Sequence, residues 1–222
     1  MRLRDIETQP YDETVYLARI PVQQRSREKV DQICDAFREL MHDIDYNDIT
    51  MRDIADKSNV PVATIYQYFA AKSAILLYIW SGFARGYYDS FLTLAEETLG
   101  RNDPQGMLTL MDGMFDHLMQ IYRADPAIAA IKDQLEHRAE FREVYAKELA
   151  IGSNIVGEFI LKSGLVKDRN DAFYDALISV AIGKAALRVL LWVPQDEAEA
   201  GLRALKRMFS RAIDSAKREQ GM

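Results

Sequence analysis

Between Thr50 and Lys72 the chain sets hydroxyls, an amide and an ammonium at helical spacing, with Thr64, Tyr66, Gln67, Tyr68 and Lys72 closely interleaved with apolar residues. Such a set makes hydrogen bonds; it does not supply an activated nucleophile or a metal ligand set. Residues able to do covalent or metal chemistry are few. A carboxylate-bridged di-metal centre in a helical protein needs two Glu-x-x-His pairs on facing helices. Glu39-Leu40-Met41-His42 supplies one, and neither His117 nor His137 follows a glutamate at that spacing. No Gly-rich phosphate loop, nucleophile elbow or His-Glu-x-x-His zinc motif occurs. Cys34, the one cysteine, can form neither an internal disulfide nor a thiolate zinc site, and its apolar neighbours make it a buried thiol. No enzyme activity, cofactor or metal is expected.

The elements that must position this set are helices. The 222 residues, 49% apolar and 28% charged, suffice for one large or two modest domains. Glycine and proline are sparse, and apolar residues recur every three or four positions, which predicts an all-α chain of about nine helices. After an irregular arm over 1–22, with Pro10 and Pro21, the first stripe is Val30, Ile33, Cys34, Phe37, Leu40 and Met41. Two short helices follow, one after Thr50 and one ending near Phe69. A long helix then runs from Lys72 to Leu99 and stops at Gly100-Arg101-Asn102-Asp103-Pro104. Further helices are expected at 104–123, 126–136, 138–162, 169–192 and 196–218. No window approaches the roughly 18 apolar residues of a membrane span, and the N-terminus lacks a secretory apolar core, so a soluble cytoplasmic protein is expected. The net charge of −6 argues against a generally basic coat for nucleic acid, so any such contact must come from local clustering.

The two short helices have the shape of a helix-turn-helix, whose second helix fits a DNA major groove. Thr50-Met51-Arg52-Asp53 reads as an Asp variant of the capping box. Ile54, Ala55, Val60, Ile65 and Tyr68 fall where the helices must face each other. Asn59 stands at the bend, where a left-handed backbone is needed and asparagine tolerates it. An ordinary helical hairpin has the same spacing.

The residues Ile49-Thr50-Met51-Arg52-Asp53-Ile54-Ala55, Val60, and Thr64-Ile65-Tyr66-Gln67-Tyr68-Phe69 with Lys72 and Ile75 resemble the recognition signature of the TetR family of bacterial transcriptional regulators. The resemblance covers roughly residues 25 to 80. It implies a helix-turn-helix DNA-binding domain over 23–71 and an effector-binding and dimerisation domain over 72–222. It implies that Val62, Ala63, Tyr66 and Gln67 face bases, while Thr50, Thr64, Tyr68 and Lys72 contact phosphates of a double-stranded operator. The chemistry agrees: glutamine pairs bidentately with adenine, small apolar groups suit thymine methyls, and hydroxyls and lysine suit phosphate oxygens. Asn59 and Ala63 stand where the family commonly has glycine, and Pro61 where it has a serine cap, which bears on operator preference. Arg19, Arg25, Arg27 and Lys29 form a basic cluster, of which Arg25 and Arg27 are expected on DNA. Against them stand Asp35, Glu39, Asp43, Asp45, Asp48, Asp53 and Asp56, most of which must face away from DNA.

The helix over 169–192 is apolar on two faces: Phe173, Leu177, Val180, Leu187 and Leu191 on one, Ile178, Ile182, Ala185 and Val189 on the other. With Leu205, Phe209 and Ile213 of the last helix, the first set is expected to form a four-helix homodimer interface; closing a monomer's own core is the other option. By resemblance, the middle helices enclose an effector pocket. Its expected wall is Phe83, Tyr87, Met111, Met114, Phe115 and Leu118, continued by Tyr122, Phe141, Tyr145 and Phe159, with His117 as a polar handle. An apolar or aromatic small molecule is the expected ligand, releasing a repressor from a palindromic operator through the helix that starts at Lys72. The alternative is a helical carrier or scaffold that binds no DNA, which leaves the Thr64–Phe69 string unexplained.

Overall fold

Helix ends are written into the chain by caps, and the structure, a computed structural model that describes residues 12–99 and 104–219, follows them closely. Among the described residues there are nine α-helices and no strand. They are α1 (Gln24–Asp43), α2 (Met51–Ser58), α3 (Val62–Tyr68), α4 (Lys72–Leu99), α5 (Pro104–Ala124), α6 (Pro126–His137), α7 (Arg142–Lys162), α8 (Arg169–Leu190) and α9 (Gln195–Glu219). Asp125 caps α6 by accepting from the Ala127 amide, with Pro126 at the first helical position, and Asp168 caps α8 through the Asn170 and Asp171 amides. No single helix among the described residues is long and apolar enough to cross a membrane.

Three boundaries differ from the sequence reading. The helix expected from 138 starts instead with a 3-10 turn, Ala139–Phe141, because Arg138 is extended and Phe141 is buried beside it. α8 ends at Leu190, ahead of Pro194, which cannot continue a helix. The end of the arm is not irregular throughout: Glu13–Tyr16 form a 3-10 helix capped by Asp12, and the Ala18 amide donates to the Tyr68 carbonyl at 2.7 Å. Residues 1–11 of the arm, with Pro10, and the stop signal at 100–103 lie outside the described residues.

The chain divides into two units, and α4 runs from one into the other. One holds α1, α2, α3, the part of α4 up to Tyr88, and α6. Phe37, Ile54, Ile65, Phe69 and Ile75 are without exposed surface at its centre, each contributing roughly 2 kcal/mol by burial. α6 packs on α1, and its two ends are tied: Arg38 of α1 pairs with Asp125, and Arg138 donates to the Asn47 side chain. Along its length, the Lys132 ammonium, paired with Glu136 at 3.0 Å, lies 5.2 Å from the centre of the Trp80 ring.

The other unit holds the rest of α4 with α5, α7, α8 and α9. α7 and α8 form its most extensive contact, and Gly157 sits where a Cβ would come 3.3 Å from the Ala172 carbonyl, so the backbones approach closely. A buried Glu148–Lys184 pair joins the same helices, and Lys206 of α9 reaches Asp116 of α5 at 2.7 Å.

Candidate nucleic-acid interface

Thr50 opens α2 with a complete capping box. Its hydroxyl oxygen accepts from the Asp53 amide at 3.2 Å, while the Asp53 carboxylate accepts from the Thr50 amide at 2.8 Å and its hydroxyl at 2.7 Å. Those hydrogen bonds hold the Asp53 carboxyl below its ordinary pKa. At the other end Asn59 takes φ 54° and ψ 26°, the left-handed conformation that turns the chain. Ser58 steadies the bend by accepting from the Val60 amide at 3.3 Å, and Pro61 accepts from the Thr64 amide at 2.7 Å to begin α3. Ile54, Val60 and Ile65 are buried between the helices and fix their angle.

That packing decides which residues of α3 remain outside. Val62 and Tyr66 are 40% and 52% exposed, and Ala63 and Gln67 are exposed beside them. These four occupy one face, at i, i+1, i+4 and i+5. Thr64 is half-buried on its flank, and Thr50 is exposed. α3 carries no charged residue, so it can approach base edges without a desolvated charge. Arg25 and Arg27, both exposed, lie in the first turn of α1, where no acidic residue offsets them. Cations there oppose the helix dipole, so an anion at that end would stabilise them.

Two residues expected on phosphate are placed otherwise. Tyr68 is 5% exposed, because it shares with Ile65 the face of α3 turned into the core. The Lys72 ammonium donates to the carbonyls of Tyr46, Asn47 and Ile49 at 2.5, 3.1 and 2.7 Å, so its three protons tie the α1–α2 connection to the start of α4. The carboxylates that oppose DNA binding are largely committed to structure. Glu39 pairs with Lys57 at 2.7 Å, Asp43 contacts His42, Asp45 accepts from the Asn47 amide, and Asp53 is in the cap. Arg38 and Arg138 were missed by the sequence reading, since their partners lie 87 and 91 residues away.

The expected effector wall is split between the two units. Phe83 and Tyr87, half-buried and stacked 6.1 Å apart, belong with the helix-turn-helix. In the other unit Met111, Phe115, Leu118, Tyr122, Phe141 and Phe159 are buried, and Met114 and Tyr145 are half-buried. His117 is exposed, on the side of α5 away from Met111 and Phe115, so it is not an interior polar handle. The expected dimer face also changes. Phe173, Val180, Leu187, Leu205, Phe209 and Ile213 are buried in the protomer's own core, and Leu177 and Leu191 are half-buried. The stripe left open on α8 is Tyr174, Ile178, Ile182, Ala185 and Val189.

Residues 33–79 match the family model described as bacterial regulatory proteins, tetR family. No curated protein matches the chain. Among solved structures, a TetR-family transcriptional regulator from Haemophilus influenzae is 19% identical, with a TM-score of 0.54 over 83% of this chain and 98% of its own. The TetR family repressor AlkX from Dietzia sp., implicated in biodegradation of n-alkanes, is 14% identical over 89% of this chain and 98% of its own, with a TM-score of 0.44. Residues 33–79 thus carry both the signature and the helix-turn-helix geometry of the family described as bacterial regulatory proteins, tetR family, to which this part of the chain is similar.

Proposed function

We propose that the protein is a ligand-responsive cytoplasmic repressor that binds a palindromic operator as a homodimer and is released by a small apolar or aromatic effector. The single observation that carries the reading is the uncharged exposed face of α3, where Val62, Ala63, Tyr66 and Gln67 stand clear of the core. In this reading those four meet base edges, and Thr50, Thr64, Arg25 and Arg27 hold the phosphates on either side.

The homodimer is supported by the open stripe of α8, which continues from Tyr174 through Ile178, at 59% exposed, to Trp192 at 74%. An apolar row of this length on one helix is a surface that a second copy covers. Two copies place two reading heads on half-sites one helical turn, about 34 Å, apart. The effector is taken up among the methionine and aromatic side chains of α5, of α7 and of the 3-10 turn before it, including Met111, Met114, Phe141, Tyr145 and Phe159. It acts by favouring a form whose heads are wrongly spaced, and α4, shared by both units, is the link.

The test is selection from a random-sequence duplex pool by purified protein, read by sequencing, beside a Tyr66→Ala/Gln67→Ala variant. An enriched palindrome that the variant fails to enrich supports the reading. No enrichment by folded, ligand-free protein overturns it in favour of a helical carrier.

A further inference from the structure

The arm ahead of α1 is docked on the helix-turn-helix at two points. α3 has only seven residues, too few to hold its own last turn, and the carbonyls at its carboxyl end lack partners within the helix. The Ala18 amide supplies one from far away in sequence, donating to the Tyr68 carbonyl at 2.7 Å. Glu13, its side chain 15% exposed, pairs with the Arg85 guanidinium of α4 at 2.7 Å. The 3-10 helix Glu13–Tyr16 stiffens the segment between the two anchors, because Asp12 caps it by accepting from the Thr14 amide at 2.9 Å and the Thr14 hydroxyl at 2.6 Å. All of these residues belong to one unit.

That docking decides where Arg19 stands. It follows Ala18 directly, so its Cα lies about 3.8 Å from the anchored residue. It is exposed and enters no ion pair among the described residues. By helix rise α3 is about 10 Å long, shorter than the width of a major groove, about 12 Å. With Val62, Ala63, Tyr66 and Gln67 on the bases, a residue at the carboxyl end of α3 therefore stands beside a phosphate strand. Asp12 and Glu13, the carboxylates of the described arm, are committed to the cap and to Arg85, so neither claims Arg19. Past Arg19 the chain is tied back to α1, where the Arg27 side chain donates to the Pro21 carbonyl at 3.4 Å.

We propose that the docked arm is a third element of the DNA interface: the Ala18–Tyr68 and Glu13–Arg85 contacts hold Arg19 at the carboxyl end of α3, where its guanidinium takes a phosphate of the operator backbone. Glu13 and Arg85 are positioning residues, acting through Arg19. The inference rests on the DNA-binding reading above and adds a contact from outside the helix-turn-helix. A guanidinium placed in advance loses little freedom on binding, whereas a free arm must be ordered at each encounter. Its planar fork matches two phosphate oxygens at once.

The experiment uses full-length Arg19→Gln, Glu13→Gln, Arg85→Gln and the Arg19→Gln/Glu13→Gln double variant, with circular dichroism checking that each keeps its helices. Fluorescence anisotropy follows binding, over a salt series, to the duplex that the wild type enriches most from a random-sequence pool. Arg19→Gln weakens binding roughly tenfold at low salt and lowers the salt slope by about 0.9, the measure of one phosphate contact. Glu13→Gln removes a negative charge, which by general electrostatics strengthens DNA binding; here it frees the arm and weakens binding. Arg85→Gln weakens it from the other side of the pair, and in the Arg19→Gln background Glu13→Gln adds no further loss. An Arg19→Gln variant with wild-type affinity and slope, a Glu13→Gln variant that binds more tightly, or losses that multiply in the double variant overturn this inference and leave the DNA-binding reading standing. A folded wild-type chain that enriches no duplex overturns that reading, and this inference with it.

Discussion

Lys72 binds Tyr46 twice: its ammonium is 2.5 Å from the Tyr46 carbonyl oxygen and 4.4 Å from the centre of the Tyr46 ring. Arg138 lies over the same ring at 4.6 Å, so one tyrosine in the α1–α2 connection gathers the first residue of α4 and the end of α6. A flexible point charge with three protons can satisfy convergent carbonyls that the planar arginine fork cannot. The lysine of the recognition signature is therefore a structural tie in this chain.

Replacing it separates the two roles. Lys72→Met is expected to lower stability to urea by about 3 kcal/mol, the scale of charged hydrogen bonds lost from half-buried carbonyls. Lys72→Arg is expected to recover only part of that loss. A phosphate contact would also reduce the salt slope of duplex binding by about 0.9 per site, whereas a tie leaves the slope of the remaining folded protein unchanged. Urea titration and a salt series of binding constants check both expectations.

The capping box gives a pH signature. The Asp53 carboxyl is held low by its bonds from Thr50, so the folded form binds its proton less readily than the unfolded form. Its stabilisation is present above the ordinary carboxylate pKa of about 3.9 and is lost as pH falls through the lower folded value. Asp53→Asn therefore flattens that part of the acid limb, and Thr50→Ala costs about 1 kcal/mol at neutral pH. Thermal melts between about pH 2 and 7 show whether the wild-type and Asp53→Asn curves converge at the acid end; parallel curves would exclude this account.

The capping box and the Asn59 bend were legible because their chemistry is local: Thr50 and Asp53 are three residues apart, and the left-handed turn is a property of one residue. The roles of Lys72 and Tyr68 were not, since the Lys72 carbonyls come from residues 46–49 and the burial of Tyr68 depends on how α3 packs. α8 was read correctly as two-faced, and the face expected at a partner, with Phe173, Val180 and Leu187, is buried within the protomer itself. A signal was available. Ala172, Ala176 and Gly183 share the face of Val180 and Leu187, and small residues mark the side where another helix comes close. The division of the aromatic residues between two units has no counterpart in periodicity, because α6 returns to the helix-turn-helix after α5 has left it.

The exposed face of α3 makes a prediction about affinity alone. Gln67→Ala removes an amide that can pair bidentately with adenine and is expected to cost about 1–3 kcal/mol at one operator position, with relaxed preference there. Tyr66→Ala should weaken the same complex. Since both side chains are exposed, melting temperatures should stay within about 2 °C of wild type. A comparable loss on every duplex sequence would instead place these residues on the backbone.

Two glycines predict opposite signs for the same substitution. At Gly82 in α4 a Cβ meets nothing within 4 Å, so Gly82→Ala gains helix propensity, about 0.5–1 kcal/mol, without a clash. At Gly183 in α8 a Cβ would stand 2.6 Å from Phe115, whose ring is 2% exposed and held 5.4 Å from the Phe209 ring. That ring has nowhere to retreat, so overpacking of about 1–3 kcal/mol outweighs the same propensity gain, and Gly183→Ala is destabilising. The clash belongs to one pair, which a double-mutant cycle isolates. In a Phe115→Leu background the added methyl should cost less than in wild type, giving a favourable coupling on the order of 1 kcal/mol in urea unfolding. Additive costs would show that Gly183 is small for another reason.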